Sequence, residues 1–251
     1  MRPAVLFDIE TVPDFEMARR TLHEPSLGDV EAMARLFPPK KDGEEFGFPK
    51  TLYHGIVEIA VASVNKEGQV KFLGALSMLG PHNESGMLQS FWAVLDKHLG
   101  ERLVTFNGRR FDVPVLTQRA LANGVSPRPI FTSDYRQRFK DSHTDIMEVL
   151  SDFGSSTPLS QNEAAVMFGV PGKLGVDGGD VAALWTEGKR DEIAAYCTCD
   201  VATLTLCFAR LGVHAGWCSE EERSLIEQGV REAMSSGKHP LFQAFLDAWV
   251  V

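Results

Sequence analysis

The apolar residues change their period along the chain, and that change restricts the fold more than any other feature of the sequence. Residues 2–9 form an apolar, β-prone run that reads as a buried strand. Residues 55–65 and 69–76 are strand-like on either side of the turn Lys66-Glu67-Gly68, which predicts a hairpin. Residues 84–99 move to helical spacing, with Met87, Phe91, Val94, Leu95 and Leu99 on one face and Gly100 after them. A short strand at 103–106 precedes a helix over 111–123 that Gly124 closes. His143 opens a further helix running to Asp152. From Leu159 onward the pattern is helical. Ser160 with Glu163, and Ser219 with Glu222, have capping-box spacing. A short helix covers 180–187, a long one covers 189–211, and Pro240 opens a last one. In the long helix Ile193, Tyr196, Val201, Leu204 and Phe208 face inward. Residues 14–50 read as an insertion, with a helical stretch near 27–37 and then the loop Pro38-Pro39-Lys40-Lys41-Asp42-Gly43. Strands first, strand–helix units next and helices last predict an α/β domain with a mixed sheet and a helical C-terminal half.

The chain has 251 residues, 44% of them hydrophobic, enough for a core that needs no disulfide or structural metal. Cys197, Cys199, Cys207 and Cys218 include no CxxC pair and read as reduced core thiols, which points to the cytoplasm. Uncharged apolar runs such as residues 59–64 fall short of the roughly 18 residues of a membrane span, so no membrane partner is expected. The N-terminal apolar run meets Asp8 too early for a signal-peptide core. Net charge is −9, which argues against a phosphate-rich partner, but the distribution is uneven. Residues 107–140 hold seven basic residues and two acidic ones. That segment is either a polyanion track or a solvated face with a loop.

Three short motifs carry carboxylates. Asp8 and Glu10 are two apart at the end of the first strand and project from one face. Two adjacent acids there repel each other and lose solvation, which a bound cation would relieve; a strand end fraying into water is the plainer alternative. Asp112 follows the strand and glycine turn Val104-Thr105-Phe106-Asn107-Gly108 and stands near a helix start, where it is a ligand or simply a dipole partner. Tyr196 and Asp200 are four apart on an inward helix face, where a buried Asp wants a partner or a metal; a structural Tyr–Asp hydrogen bond also satisfies it.

Taken in order, Asp8-x-Glu10, Asn107-x-x-x-Phe111-Asp112 and Tyr196-x-x-x-Asp200 resemble the DEDD 3′-to-5′ exonucleases of the RNase H-like, DnaQ-like superfamily in their tyrosine form, DEDDy. The stretches Phe106-Asn107-Gly108-Arg109-Arg110-Phe111-Asp112, His143-Thr144-Asp145-Ile146-Met147 and Gly175-Val176-Asp177-Gly178 resemble the stand-alone, predicted PolB-like exonucleases. The resemblance covers roughly residues 4–212. It implies an RNase H-like mixed sheet of about five strands flanked by helices over residues 1–212. Residues 213–251 would be a helical C-terminal extension packed on it.

Four carboxylates form a hard oxygen cage, suited to Mg²⁺ or Mn²⁺ rather than zinc. The resemblance implies two such ions. Asp8 would bridge both, Glu10 and Asp200 would lie on the nucleophile side, and Asp112 would serve the other ion. Tyr196 would orient the attacking water. Thr11, Asn107 and Phe111 would contact the terminal nucleotide, and Arg109 and Arg110 would hold phosphates. For Phe111, helix packing is an equal alternative. Asp145 reads as a helix cap or a support for the site; His54 and His143 read as locally bonded. The implied activity is release of nucleoside 5′-monophosphates from the 3′ ends of single-stranded nucleic acid, with DNA favoured over RNA. An exoribonuclease that trims RNA 3′ ends and a non-catalytic nucleic-acid-binding module are the rival readings.

Overall fold

The computed structural model describes residues 1–77, 83–173 and 178–249. In chain order the elements are β1 (Ala4–Pro13), α1 (Phe15–Leu22), α2 (Asp29–Leu36), β2 (His54–Val64), β3 (Val70–Ala75) and α3 (Glu84–Lys97). There follow β4 (Arg102–Thr105), α4 (Asp112–Ala122), α5 (Arg128–Thr132), β5 (His143–Asp145) and α6 (Ile146–Leu150). The chain continues through α7 (Gln161–Phe168), α8 (Val181–Thr186), α9 (Arg190–His214), α10 (Glu220–Ser236) and α11 (Pro240–Asp247). The strands form one sheet in the order β3-β2-β1-β4-β5. β1 pairs antiparallel with β2, and β2 with β3, while β1–β4 and β4–β5 are parallel. This is the expected mixed, five-stranded sheet flanked by helices, with a helical C-terminal part.

Strand alternation divides the core between the two faces of the sheet. Ala4, Leu6, Ala60 and Ala62 face α9 and the C-terminal helices, whereas Val5, Phe7, Ile59 and Val61 face α3 and α4. On its own face, β1 therefore continues from Ala4 and Leu6 to Asp8 and Glu10. α9 is the long central helix, and seventeen of its residues are buried. Its length and apolar content would satisfy a membrane span by composition, which the sequence reading did not foresee. In this fold 89% of the apolar window is buried, and packing against the sheet accounts for its composition. The four cysteines are buried and unpaired.

Both capping boxes form, at Ser160–Glu163 and Ser219–Glu222. One expectation needs correction. Residues 143–152 are not a single helix, because His143, Thr144 and Asp145 pair in parallel with Leu103, Val104 and Thr105 as an edge strand. Three residues are too few to display a period of two, so tertiary pairing decides the conformation. The helix begins at Ile146 instead, and Asp145 caps it by accepting from the Glu148 N–H. The insertion contains a helix that the sequence did not reveal, α1, capped by Asp14. Arg119 of α4 reaches both Asp14 and, through two hydrogen bonds of 2.7 and 2.6 Å, Glu84 of α3. That buried fork ties the insertion to the sheet's helical layer.

The C-terminal helices share the α9 core through Ile226, Val230, Met234, Phe242 and Phe245. Phe245 is fully buried. Phe245→Ala is expected to lower stability by about 3–5 kcal/mol in urea unfolding; a change near zero would mean that α11 does not complete this core.

Candidate active site

The site forms where β1, the start of α4 and the middle of α9 meet. β1 brings Asp8 and Glu10 on the face toward α9, and Glu10 is 7% exposed. Opposite Glu10 the β1–β2 register shifts, leaving Val57 unpaired between Glu58 and Ile56. Such bulges redirect side chains, and Val57 packs with Val181, Ile193 and the ring of Tyr196. Tyr196 is thereby held with its hydroxyl hydrogen-bonded to Asp200, one helical turn on. Asp112 is the first residue of α4 and is 5% exposed.

The loop before α4 is held from the neighbouring strand. Asp145 accepts from the backbone N–H groups of Asn107 at 2.8 Å and Arg109 at 3.0 Å, besides capping α6. Asn107 adopts φ 61°, in the left-handed region that Asn tolerates better than most residues. A Cβ on Gly108 would stand 2.5 Å from Thr105, so only glycine fits that turn. Asp145 thus acts as cap and as loop anchor at once.

The four carboxylates sense one another. Burial, then Asp112, Glu10 and Asp200, push Asp8 well above the usual carboxylate range. Burial, then Asp200 and Asp112, do the same to Glu10, partly offset by Lys173. Burial raises Asp112 to about 7, against hydrogen bonds from its own N–H and that of Ile9. Burial and Asp200 also push the Tyr196 hydroxyl upward, so it remains a proton donor at neutral pH. The arrangement is destabilised by its own charge and would gain from a divalent cation. Two of the four carboxylates, Asp8 and Glu10, bring ligand oxygens within 4.8 Å of each other, and such hard oxygen donors suit a divalent ion of the Mg²⁺ type.

Three contributors escaped the sequence reading. Cys197 donates its thiol to the Asp8 carbonyl at 3.6 Å, and burial and then Asp8 keep it protonated. Glu58, directly across from Glu10, accepts from the Ile59 and Ser77 N–H groups and from the Ser77 hydroxyl. An acid alternating with Ala60 and Ala62 on an inward strand face was a visible signal for it. Lys173, in a stretch with no periodicity, gave none.

A cavity of about 950 Å³ opens beside the carboxylates, lined by Glu10, Thr11, His54, Asn107, Arg110 and Phe111 among others. His54 donates from Nε2 to the Pro49 carbonyl, so its Nδ1 accepts from the Thr11 hydroxyl at 3.1 Å. Phe111 packs edge-on against His54, lines the cavity and also contacts the α3–α4 core, which is the helix-packing alternative. Asn107 Oδ1 is buried with no hydrogen-bond partner among the described residues. Arg109 departs from expectation. Its guanidinium lies 3.3 Å from Glu148 and donates to the Tyr135 and His143 carbonyls. Those internal partners occupy it, which leaves Arg110 as the arginine of the pair that lines the cavity. His143 is neutral, its pKa lowered to about 3 by burial and Arg109, and it bonds Thr105 and Tyr135. Residues 175–177 of the resembling stretch lie outside the described residues.

The mixed sheet thus carries a carboxylate cluster at one end, beside an open cavity. The chain belongs to the family described as predicted 3′-5′ exonucleases related to the exonuclease domain of PolB, whose profile matches residues 46–249. Asp8 and Glu10 precede the matched span. Among solved structures, the family B DNA polymerase from the hyperthermophilic archaeon Pyrobaculum calidifontis is similar. Its TM-score is 0.54 at 18% identity, over 85% of this chain and 25% of that one, a likeness of fold. Exonuclease I matches with a TM-score of 0.39 at 10% identity, over 94% of this chain and 46% of that one. A zinc-bound E. coli ExoI–ssDNA complex matches with 0.38 at 11%, over 91% and 42%. The chain therefore spans a quarter of the polymerase and less than half of each exonuclease I chain. No curated protein sequence matches it significantly.

The raised Asp112 pKa has a pH consequence. Between the ordinary 3.8 and about 7 the folded protein binds more protons at this residue than the unfolded chain does. The contribution of Asp112 to stability in chelator is thus most favourable below about pH 4 and is lost as pH rises to about 7. Asp112→Asn should therefore gain stability relative to wild type as pH rises through this window in urea titrations; a difference between the two proteins that does not change with pH would contradict the assignment.

Proposed function

We propose that this chain is a metal-dependent 3′-to-5′ exonuclease of the DEDDy type. It would act on single-stranded nucleic acid, DNA in preference to RNA, and release nucleoside 5′-monophosphates. The observation that carries this reading is the meeting of Asp8, Glu10, Asp112 and Asp200 from three separated segments, with the Tyr196 hydroxyl on Asp200.

In this reading the four carboxylates hold two divalent ions, Mg²⁺ or Mn²⁺. When bound, the ions supply the Lewis acidity that makes water a nucleophile and stabilises the leaving 3′-oxygen. The remaining work belongs to the chain. Tyr196 is protonated and orients the attacking water through its hydroxyl; it is a positioner, not a base. Its buried ring fixes that hydroxyl, and the bond to Asp200 sets its direction. Thr11, oriented by His54, and the unpaired Asn107 Oδ1 meet polar groups of the terminal nucleotide. Phe111 supports its base or sugar, and Arg110 takes a phosphate oxygen. Arg109, held by Glu148, contributes by stiffening the loop that ends at Asp112.

End-labelled single strands of DNA and RNA, incubated side by side with Mg²⁺ or Mn²⁺, test the reaction. Stepwise loss of monophosphates from the 3′ end is expected, faster on DNA, and activity persisting in excess chelator would overturn the metal dependence. Tyr196→Phe deletes only the hydroxyl. The rate should fall roughly 10- to 1,000-fold, the loss of one oriented hydrogen bond in a transition state, while strand affinity barely changes. A purely structural tyrosine would show the opposite pattern, with stability lower by about 1 kcal/mol and the rate unchanged.

A further inference from the structure

Arg110 belongs to two cavities. Behind it, across the first turns of α4, lies a second cavity of about 550 Å³, which it shares with Arg109, Arg136, Arg138, Phe131 and Glu148. Glu148 pairs with Arg109 at 3.3 Å and with Arg138 at 3.0 Å, so one carboxylate serves two guanidinium groups. Among the described residues no carboxylate pairs with Arg110 or Arg136. The cavity is therefore strongly cationic, in a chain whose net charge is −9. It is also where four of the six arginines of the basic segment 107–140 gather.

Aromatic rings are exposed on and around it. Phe131, Phe139 and Phe153 are 53%, 84% and 43% exposed. Arg136 lies over the Phe131 ring at 5.2 Å and Arg138 over the Phe153 ring at 5.6 Å. Phe139 stands 5.8 Å from Phe153, centroid to centroid. Phe153 and the preceding Asp152 both have positive φ, 53° and 48°, a strained conformation for two consecutive non-glycine residues. Strain of this kind persists where a surface has another use. Here it accompanies a phenyl ring left in solvent.

We propose that this basic, aromatic cavity is the track for the upstream nucleotides of the single strand whose 3′ end occupies the carboxylate site. The proposal rests on the exonuclease reading of that site and names how its substrate is held. Phosphates take the uncompensated guanidinium groups, and unstacked bases take the exposed rings, the two components of a single-strand binding surface. Arg110 makes the path continuous, because one side chain borders both cavities. An acidic peptide would match the charge but would leave three phenyl rings without partners. A duplex would hide the base faces that the rings could stack on.

The test separates strand binding from hydrolysis. A fluorescent single-stranded DNA dodecamer is titrated in chelator, at several salt concentrations, against wild type and against Phe131→Ala, Arg136→Ala and Phe139→Ala. None of these residues belongs to the carboxylate site. Removing a stacking ring should weaken dodecamer binding roughly 10-fold. Arg136→Ala should reduce the salt slope by about 0.7, one phosphate contact on a single strand. Phe131→Trp and Arg136→Lys should retain affinity, which distinguishes lost contacts from a damaged fold. With Mg²⁺, the alanine variants should raise KM on the dodecamer, leave kcat unchanged and leave dinucleotide cleavage unaffected. Dodecamer affinity and salt slope unchanged in all three folded variants would overturn the track while leaving the exonuclease reading intact. A wild type that hydrolyses nothing but loses strand affinity in these variants would overturn the exonuclease reading and uphold the track.

Discussion

Four carboxylates share one end of a buried sheet, and their mutual repulsion is the constraint that the surrounding structure answers. Two like charges about 4 Å apart cost roughly 4 kcal/mol at an effective dielectric constant near 20, and each acid also loses water. The fold tolerates this because every segment that brings an acid is anchored elsewhere. β1 is paired on both sides, by β2 and β4. α9 is buried along most of its length. The loop before Asp112 is held by two backbone hydrogen bonds to Asp145. The neighbours do not cancel the repulsion: Lys173 lowers Glu10, Glu58 raises it further, and Cys197 stays neutral. What is left is a cluster of buried acids that a bound cation would relieve.

Much of this was legible in the sequence because it is local or periodic. Asp8 and Glu10 share a face by strand alternation, and Tyr196 and Asp200 share one by helical spacing. Ser160 and Ser219 cap their helices as their spacing indicates. What the sequence hid depends on contacts between distant segments. His143, Thr144 and Asp145 are a strand only because β4 is there to pair with them. Arg109 looked like a phosphate ligand because Glu148, 39 positions away, is invisible as its partner from spacing alone. Cys197 read as one more core thiol, since nothing in its neighbours says that the Asp8 carbonyl lies above it.

The charge pattern divides the molecule in a way that composition obscures. A chain of net charge −9 should repel a polyanion, and over most of its length it offers one nothing. The exception begins at the loop that delivers Asp112 and runs on to Lys140. Coupling the cationic segment to the loop that delivers Asp112 puts the attraction for phosphate beside the carboxylate cluster. The same loop must therefore be rigid on one side and receptive on the other. Asp145 and Glu148 provide the rigidity from β5 and α6, while Arg110 and Arg136 remain without carboxylate partners among the described residues.

Whether these carboxylates hold a divalent cation is decided by anomalous diffraction. Crystals grown with Mn²⁺ and a nucleoside 5′-monophosphate would be measured near the manganese absorption edge. Anomalous density is expected in contact with the Asp8 carboxylate and reaching Glu10, Asp112 and Asp200, with the nucleotide phosphate against it. Manganese bound elsewhere at saturating concentration, with these four carboxylates carrying no ion, would contradict it.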